Sequence, residues 1–106
     1  MNLQRLKALH DAMPVPMHHY GAHKPPVPYG VWAEDGDVSP SADNVNSTQI
    51  LSGTTDYFTK IEDDPNVGIV QAVFDGAAWI SAQINSIQYE DDTGMLHYEW
   101  AWEALV

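Results

Sequence analysis

The last strand-like segment of the chain restricts its fold more than any other stretch does. Residues 95–105 read MLHYEWAWEAL, and their side chains alternate without a break between two sets. The largely apolar set comprises Leu96, Tyr98, Trp100, Trp102 and Ala104. A shift of one residue would bury Glu99 and Glu103 instead, so the register of this strand is strongly fixed. The segment therefore predicts a β-sheet with one buried face.

Three further segments have strand character. Residues 29–34, YGVWAE, alternate, and residues 49–60 are rich in threonine and aromatic side chains. Residues 79–89 alternate only weakly and change phase near Ser86, which predicts a bulge or a bend in that strand. The sequence EDDTG follows and predicts a turn in which Gly94 takes a positive φ.

Two helices are expected beside this sheet. Apolar residues recur at helical spacing over residues 3–12, with Asn2 available as the N-cap. A second helix begins after Asp64, a favourable N-cap, and ends near Gly76, which we expect in the left-handed conformation. The order of the elements predicts an α+β fold, namely an antiparallel β-sheet with two α-helices packed on one face. The length of 106 residues suits one domain that spans 1–106.

A proline-rich connector precedes the strand that begins at Tyr29. Residues 15–20 can be extended, and residues 21–28 contain three prolines that stiffen the chain. A proline at the entrance of a strand removes no hydrogen bond from the sheet. Residues 35–48 are rich in turn-forming residues and almost free of large apolar side chains. We expect these residues to form a long exposed loop, called the flap below.

The charge of the chain excludes several classes of partner. Fifteen acidic side chains against four basic ones give a formal net charge of −11. The bases Arg5, Lys7, Lys24 and Lys60 form no cluster of the kind that binds phosphate, so we expect no direct nucleic-acid binding. An anionic membrane would repel the chain, no apolar run is long enough to span one, and no signal-peptide pattern is present. The absence of cysteine excludes disulfides and thiolate metal sites.

No motif in the chain indicates catalysis. His18 and His19 are neighbours whose side chains would point to opposite faces of a strand, so they are poorly placed to share a metal ion. Ordinary polar histidines are the simpler interpretation, and metal binding by His18, His19 and His23 is left open. The acidic clusters do not fit a calcium loop, and neither GxSxG nor a phosphate-binding glycine loop is present. We therefore expect no enzymatic activity and no cofactor.

Several short motifs occur in a recognisable order. Residues 13–44, MPVPMHHYGAHKPPVPYGVWAEDGDVSPSADN, contain an apolar-Pro-apolar strand, a histidine-aromatic pair and a proline-rich entrance to a strand. Residues 54–66, TTDYFTKIEDDPN, then lead into a helix, and residues 94–105, GMLHYEWAWEAL, follow. In this order, over nearly the whole chain, the sequence resembles a family of small tail proteins from long-tailed phages and prophages, the tail terminator or tail completion proteins.

The resemblance implies a structural role in the virion. Such proteins form a ring, expected to be a hexamer, on the head-proximal end of the tail tube, where the ring ends tube polymerisation and forms part of the head–tail joint. The implied partners are further copies of the chain, the tail tube protein and a head completion or connector protein. The implied location is the tail of the virion, and the host cytoplasm during assembly. Neither enzymatic activity nor a cofactor is implied.

Residues beside the flap and within it are candidates for subunit contacts. They are Trp32, Glu34, Asp35, Asp37, Asp43 and Asn44. Trp32 would either anchor a contact at a sheet edge or pack beneath the first helix, and the sequence does not decide between the two. The acidic side chains would meet a basic neighbour or line a channel through which DNA passes without binding.

Other functions remain open on the sequence alone. The net charge also suits an acidic phage-encoded inhibitor that mimics DNA, although the acids cluster at turns rather than in a regular stripe. Another head–tail connector component is a second alternative within the structural class. A metal-dependent enzyme would have to rest on the histidines alone.

Overall fold

The computed structural model describes residues 1–40 and 49–106. These residues form two helices and five strands, which confirms the predicted α+β class. In chain order the elements are α1 (Gln4–Asp11), β1 (Met17–His19), β2 (Tyr29–Asp37), β3 (Ile50–Thr59), α2 (Pro65–Asp75), β4 (Ile80–Glu90) and β5 (Met95–Leu105). Neither helix has the length and hydropathy that a bilayer-spanning helix needs, as far as the described residues go.

The five strands form one sheet in the order β1-β2-β3-β5-β4. All neighbouring strands are antiparallel except β1 and β2, which run in the same direction with Met17 opposite Gly30. The predicted antiparallel pairing therefore holds for β2, β3, β5 and β4, and β1 departs from it. The cause is the connector 20–28, which returns the chain to the starting end of β1; Tyr20 and Lys24 within it have positive φ angles.

The second strand is longer than predicted. It continues to Asp37, which lies opposite Leu51, and a bulge interrupts the pairing between Glu34 and Gly36. The flap expected from residue 35 therefore does not begin there, because the backbone up to Asp37 still pairs with β3. Residues 41–48 lie outside the part of the chain that the structure describes.

The second hairpin agrees with the sequence in detail. The pairing of β4 with β5 shifts between Ile84 and Ser86, which confirms the irregularity predicted near Ser86. Gly94 has a φ of 70°, as the predicted turn requires. The strand β5 buries Trp100 and Trp102, so the predicted register is confirmed.

The helix ends show one correct and one wrong prediction. The Asp64 carboxylate accepts a hydrogen bond from the Asn66 amide at 2.9 Å, which confirms it as the N-cap of α2. Gly76 ends α2 with a φ of −75°, so the predicted left-handed exit is wrong. At the start of α1 the Asn2 side chain accepts from the Gln4 amide at 2.9 Å, although the formal N-cap is Leu3.

Asp64 also joins α2 to the sheet. Its carboxylate accepts hydrogen bonds from the hydroxyls of Tyr57, at 2.6 Å, and Thr59, at 2.7 Å. All three side chains are buried. Burial alone would raise the pKa of Asp64, but these hydrogen bonds and the one from the Asn66 amide outweigh it and lower the pKa below its ordinary value.

The core lies between the helices and one face of the sheet. In the strand register Trp32 is opposite Thr55, and Thr55 is opposite Trp100, so the three form a cross-strand row. The ring of His10 from α1 stacks on Trp32, and the ring of Phe74 from α2 lies 6.3 Å from that of Trp100. All five side chains are at most 2% exposed. Both helices thus contact the same row.

Candidate interaction site

Four aromatic rings form a column from the surface to the core. The ring of Tyr20 stacks on His19 with centroids 3.8 Å apart, and His19 stacks on Trp32 at the same distance. The other face of Trp32 stacks on His10 at 4.4 Å, with the two planes only 5° apart. The exposed fraction falls from 65% at Tyr20 to 1% at His10. The column therefore connects an exposed ring to the centre of the core.

The local backbone explains how the column forms. His19 lies directly opposite Trp32 in the pairing of β1 with β2, so the two side chains share a face of the sheet. Tyr20 follows with a φ of 73°, a left-handed conformation that costs a bulky residue roughly 1 kcal/mol or more. The Tyr20 amide donates to the Trp32 carbonyl at 2.8 Å, which helps to hold this conformation.

Glu34 fixes the two outer rings of the column. Its carboxylate accepts a hydrogen bond from the His19 Nε2 atom at 2.8 Å and another from the Tyr20 hydroxyl. Burial would raise the pKa of Glu34, but these hydrogen bonds outweigh it and lower the pKa below its ordinary value. The same carboxylate raises the pKa of Tyr20. An exposed tyrosine is therefore held in one orientation by a charged group.

His10 at the inner end of the column is neutral. Its Nδ1 atom lies 2.7 Å from the Leu6 carbonyl, an acceptor, so Nδ1 carries the proton. Its Nε2 atom then accepts from the Thr55 hydroxyl at 2.7 Å, and the Thr55 oxygen accepts from Trp102 Nε1 at 3.0 Å. Burial lowers the pKa of His10 to about 4. The ring thus links α1 to β3 and β5 without charge.

The predicted contact residues occupy different environments. Trp32 is 2% exposed, so of its two predicted roles the structure supports packing beneath the first helix. Glu34 turns inward to His19 and Tyr20, with 14% of its side chain exposed. Asp35 and Asp37 are exposed.

Two of the candidate residues, Asp43 and Asn44, lie outside the described residues. Asp37 is held locally, because its carboxylate accepts from the Ser39 amide at 2.8 Å and from the Gln49 side chain at 3.0 Å. Hydrogen bonding by the Ser39 side chain, followed by that from the Ser39 amide and from Gln49, lowers the pKa of Asp37 below its ordinary value.

Asp35 belongs to an acidic concavity on the face of the sheet opposite the helices. This shallow hollow has a volume of about 350 Å³, and Glu99 and Glu103 border it as well. Partial burial raises the pKa of Asp35, and so do the neighbouring carboxylates of Glu99, Asp56 and Glu34. The side chain thus lies in a field of like charge that a basic partner would relieve.

The histidines do not gather around a metal position. His18 lies opposite Val31 and near Tyr29, whereas His19 points to the helix-covered face beside Trp32. Across residues 1–40 and 49–106, no three His, Asp or Glu side chains are close enough together to hold a metal ion. The sequence-based expectation that His18 and His19 face opposite sides of a strand is confirmed.

Sequence reasoning missed the exposed apolar side chains of β4 and the role of Tyr20. Ile84, Ile87 and Tyr89 on β4 are 39%, 59% and 60% exposed. In the described part of the sheet β4 is an edge strand with β5 as its neighbour on one side. The adjacency of His19 and Tyr20 was visible in the sequence, but their partner Glu34 lies on another strand.

The comparisons with known proteins add no relative. No protein-family model matches the chain, and no curated protein matches it.

Proposed function

We propose that the protein is a tail terminator or tail completion protein of a phage or prophage. In this role it assembles as a ring, a hexamer by the family resemblance, on the head-proximal end of the tail tube and ends tube polymerisation. The observation that carries the proposal is that four residues of the motifs behind the resemblance meet in one cluster at the sheet edge: His19, Tyr20, Trp32 and Glu34. Chemistry on a substrate is no part of this role.

The shape of the sheet suits self-association. A ring needs two different surfaces on each subunit that meet head to tail and close. Edge strands present unpaired backbone groups that readily pair with another chain. β4 lies at one edge of the described sheet, and the short β1 lies at the other. The described residues extend over 51 × 24 × 22 Å, and this elongated shape leaves room for two separate contact surfaces.

The acidic character suits a joint through which DNA passes. The net charge is −11, and Asp35, Glu99 and Glu103 share one face of the sheet. Such a face would repel DNA at short range, since repulsion between surface charges fades over about 8 Å at physiological salt. It would also attract a basic surface of the tail tube protein or of a head connector protein.

The test is electron microscopy of particles from a parent phage in which this gene is deleted. We expect overlong or ragged tails that are detached from heads. The control is the same deletion with the gene supplied from a plasmid, which should restore tails of uniform length. Normal tails on intact particles in the deletion strain would refute the proposal.

The second candidate function is an acidic inhibitor that mimics DNA. The gathering of Asp35, Glu99 and Glu103 on one face favours it more than the sequence did, because these acids lie on strands and not at turns. Tight binding to a DNA-binding protein, weakened strongly by added salt, together with normal tails in the deletion strain, would support this function. No binding across a panel of host nucleases and regulators would exclude it.

A further inference from the structure

The two edges of the sheet, formed by β1 and β4, carry exposed apolar side chains at the two ends of one cross-strand row. The strand register places five residues directly opposite one another across all five strands: His19, Trp32, Thr55, Trp100 and Ile84. This row begins at β1 beside the exposed ring of Tyr20 and ends at β4 with the exposed Ile84. Residues that pair in a sheet point to the same face, so both ends lie on the helix-covered side.

The exposed side chains at these ends have no cover in the described residues. Tyr20 is 65% exposed, although its hydrogen bond to Glu34 and its stacking on His19 hold it in place. Ile84 and Ile87 on the other edge are 39% and 59% exposed. A rigid aromatic ring that costs backbone strain is well suited to anchor a contact, because little side-chain freedom is left to lose on binding.

The two edges carry opposite charges at the end of the sheet where β4 begins and β2 finishes. At the end of the sheet where β4 begins, Arg5 lies over the Trp79 ring at 4.6 Å and donates to the Leu105 carbonyl. At the same end of the sheet β2 ends with Asp35 and Asp37, both exposed. Within the described residues β1 pairs with Gly30 to Trp32 of β2 and leaves this part of β2 without a strand beside it.

We infer that β4 of one copy meets the β1–β2 edge of the next copy. Tyr20 of one subunit packs against Ile84 and Ile87 of its neighbour, and Asp37, which shares a row with the buried Leu51 and Ala104, faces the neighbour's Arg5. The contact joins two different surfaces, so it repeats from subunit to subunit and can close into a ring. The inference rests on the proposed function, because it names the surfaces by which the proposed ring would close.

A symmetric contact of β4 with β4 of a second copy is the rival arrangement. It would bring Arg5 near the acidic turn that follows Glu90. It would, however, leave Tyr20 unused, and it would stop at a dimer instead of closing a ring.

Site-specific cross-linking distinguishes the two arrangements. The chain has no cysteine, so single cysteines can be placed at Gly21, where a side chain would meet open space, and at Asn85, which is exposed. These positions flank the contact and leave Tyr20, Ile84 and Ile87 in place. The double variant Gly21→Cys/Asn85→Cys, treated with a short bismaleimide, should give a ladder of covalent oligomers. Either single variant should give no covalent oligomer, whereas the symmetric rival predicts covalent dimers from Asn85→Cys alone.

The experiment uses tails from the deletion phage complemented with the double variant, and the purified protein in parallel. A ladder beyond the dimer in tails supports the inference. If the tails have normal length and contain the protein but give no such ladder, the inference is overturned and the proposed function stays intact. If the protein is absent from tails, the proposed function fails. The purified protein at high concentration then decides the contact, since a ladder supports it and no ladder overturns it.

Substitutions provide an independent test. In the background of the double cysteine variant, Tyr20→Ser and Ile87→Asn should each abolish the ladder while the circular dichroism spectrum stays unchanged. The matched control is Ile69→Asn, because Ile69 on α2 is 46% exposed but lies on neither edge. A ladder that survives both edge substitutions, or one that Ile69→Asn also removes, would contradict the proposed contact.

Discussion

Protonation of His10 should lower the stability of the protein in mildly acidic solution. In the native state the His10 ring is buried, uncharged and hydrogen-bonded through both nitrogens. Burial lowers its pKa from 6.5 to about 4. The unfolded chain therefore binds a proton at His10 at a higher pH than the native state does. It follows that the stability from the neutral ring is complete above pH 6.5 and is lost as the pH falls towards 4.

The magnitude follows from the two pKa values. Each unit of difference corresponds to about 1.4 kcal/mol, so the full loss below pH 4 is about 3 kcal/mol. About 2 kcal/mol of this loss should occur between pH 7 and pH 5. The carboxylates of Glu34 and Asp64 have lowered native pKa values, so their contribution to the free energy of unfolding is lost only at lower pH. Comparison with a variant that lacks the ring then assigns the change between pH 7 and pH 5 to His10.

The assay is urea denaturation followed by tryptophan fluorescence at pH 7 and pH 5 for the wild type and for His10→Asn. The variant should be less stable at pH 7, because it loses the stack on Trp32 and the hydrogen bonds of the ring. Its free energy of unfolding should then fall less than that of the wild type on going to pH 5, by about 2 kcal/mol. His23→Asn, an exposed position, serves as the control and should keep the wild-type slope. Equal slopes for wild type and His10→Asn would refute the reasoning.

Two further predictions concern buried positions. Asp64→Ala should lower the free energy of unfolding by about 2–4 kcal/mol in urea denaturation, since it removes a helix cap and the acceptor to which two buried hydroxyls donate. Asp63→Asn at the exposed neighbouring residue should change it by less than about 0.5 kcal/mol, and equal losses would contradict the assignment. Gly53→Ala should cost about 3 kcal/mol or more, because its Cβ would overlap the Trp102 ring and lie 2.5 Å from the Ala33 carbonyl oxygen. Gly21→Ala, with open space around it, should be close to neutral by thermal denaturation, and a similar loss at both glycines would show that the close packing over residue 53 is not the cause.

The antiparallel part of the fold was predictable because it is local in sequence. The alternation of β5 has only one register that buries Trp100 and Trp102, and β4 is joined to β5 by a short turn. The bulge near Ser86 was readable as well, since a change of phase in a half-buried strand requires an extra residue. Asp64 followed from the chemistry of helix starts.

The parallel pairing of β1 with β2 was not predictable from the sequence. The connector 20–28 has many residues typical of turns, and nothing in its composition fixes the direction in which the chain returns. The end of β2 was equally hard to place, because Asp35 and Asp37 are exposed and polar while the backbone beneath them still pairs with β3. At the rim of a sheet, side chains can be exposed and polar while the backbone still forms a strand. The polar composition of this segment therefore predicted a loop where the chain continues β2.

The aromatic column depends on the parallel pairing of β1 with β2, which the sequence did not predict. Trp32 was ambiguous between a subunit contact and packing, and Glu34 was expected to reach a neighbouring molecule. Both residues take part in the column only because β1 lies parallel to β2, which brings His19 over Trp32 and within 2.8 Å of Glu34. His10 is linked to Thr55, 45 residues away in the chain, and no local pattern reveals such a partner.

The column also explains how a buried residue can act at a surface. Trp32 is too buried to touch another molecule, yet His19 lies flat on one of its faces and Tyr20 lies flat on His19. The position of the exposed ring is therefore set by the core, with Glu34 as the hydrogen-bonded support. A change at Trp32 should displace Tyr20 even though the two rings are not in direct stacking contact. For the proposed contact between copies, this coupling means that only a correctly folded core presents the aromatic anchor.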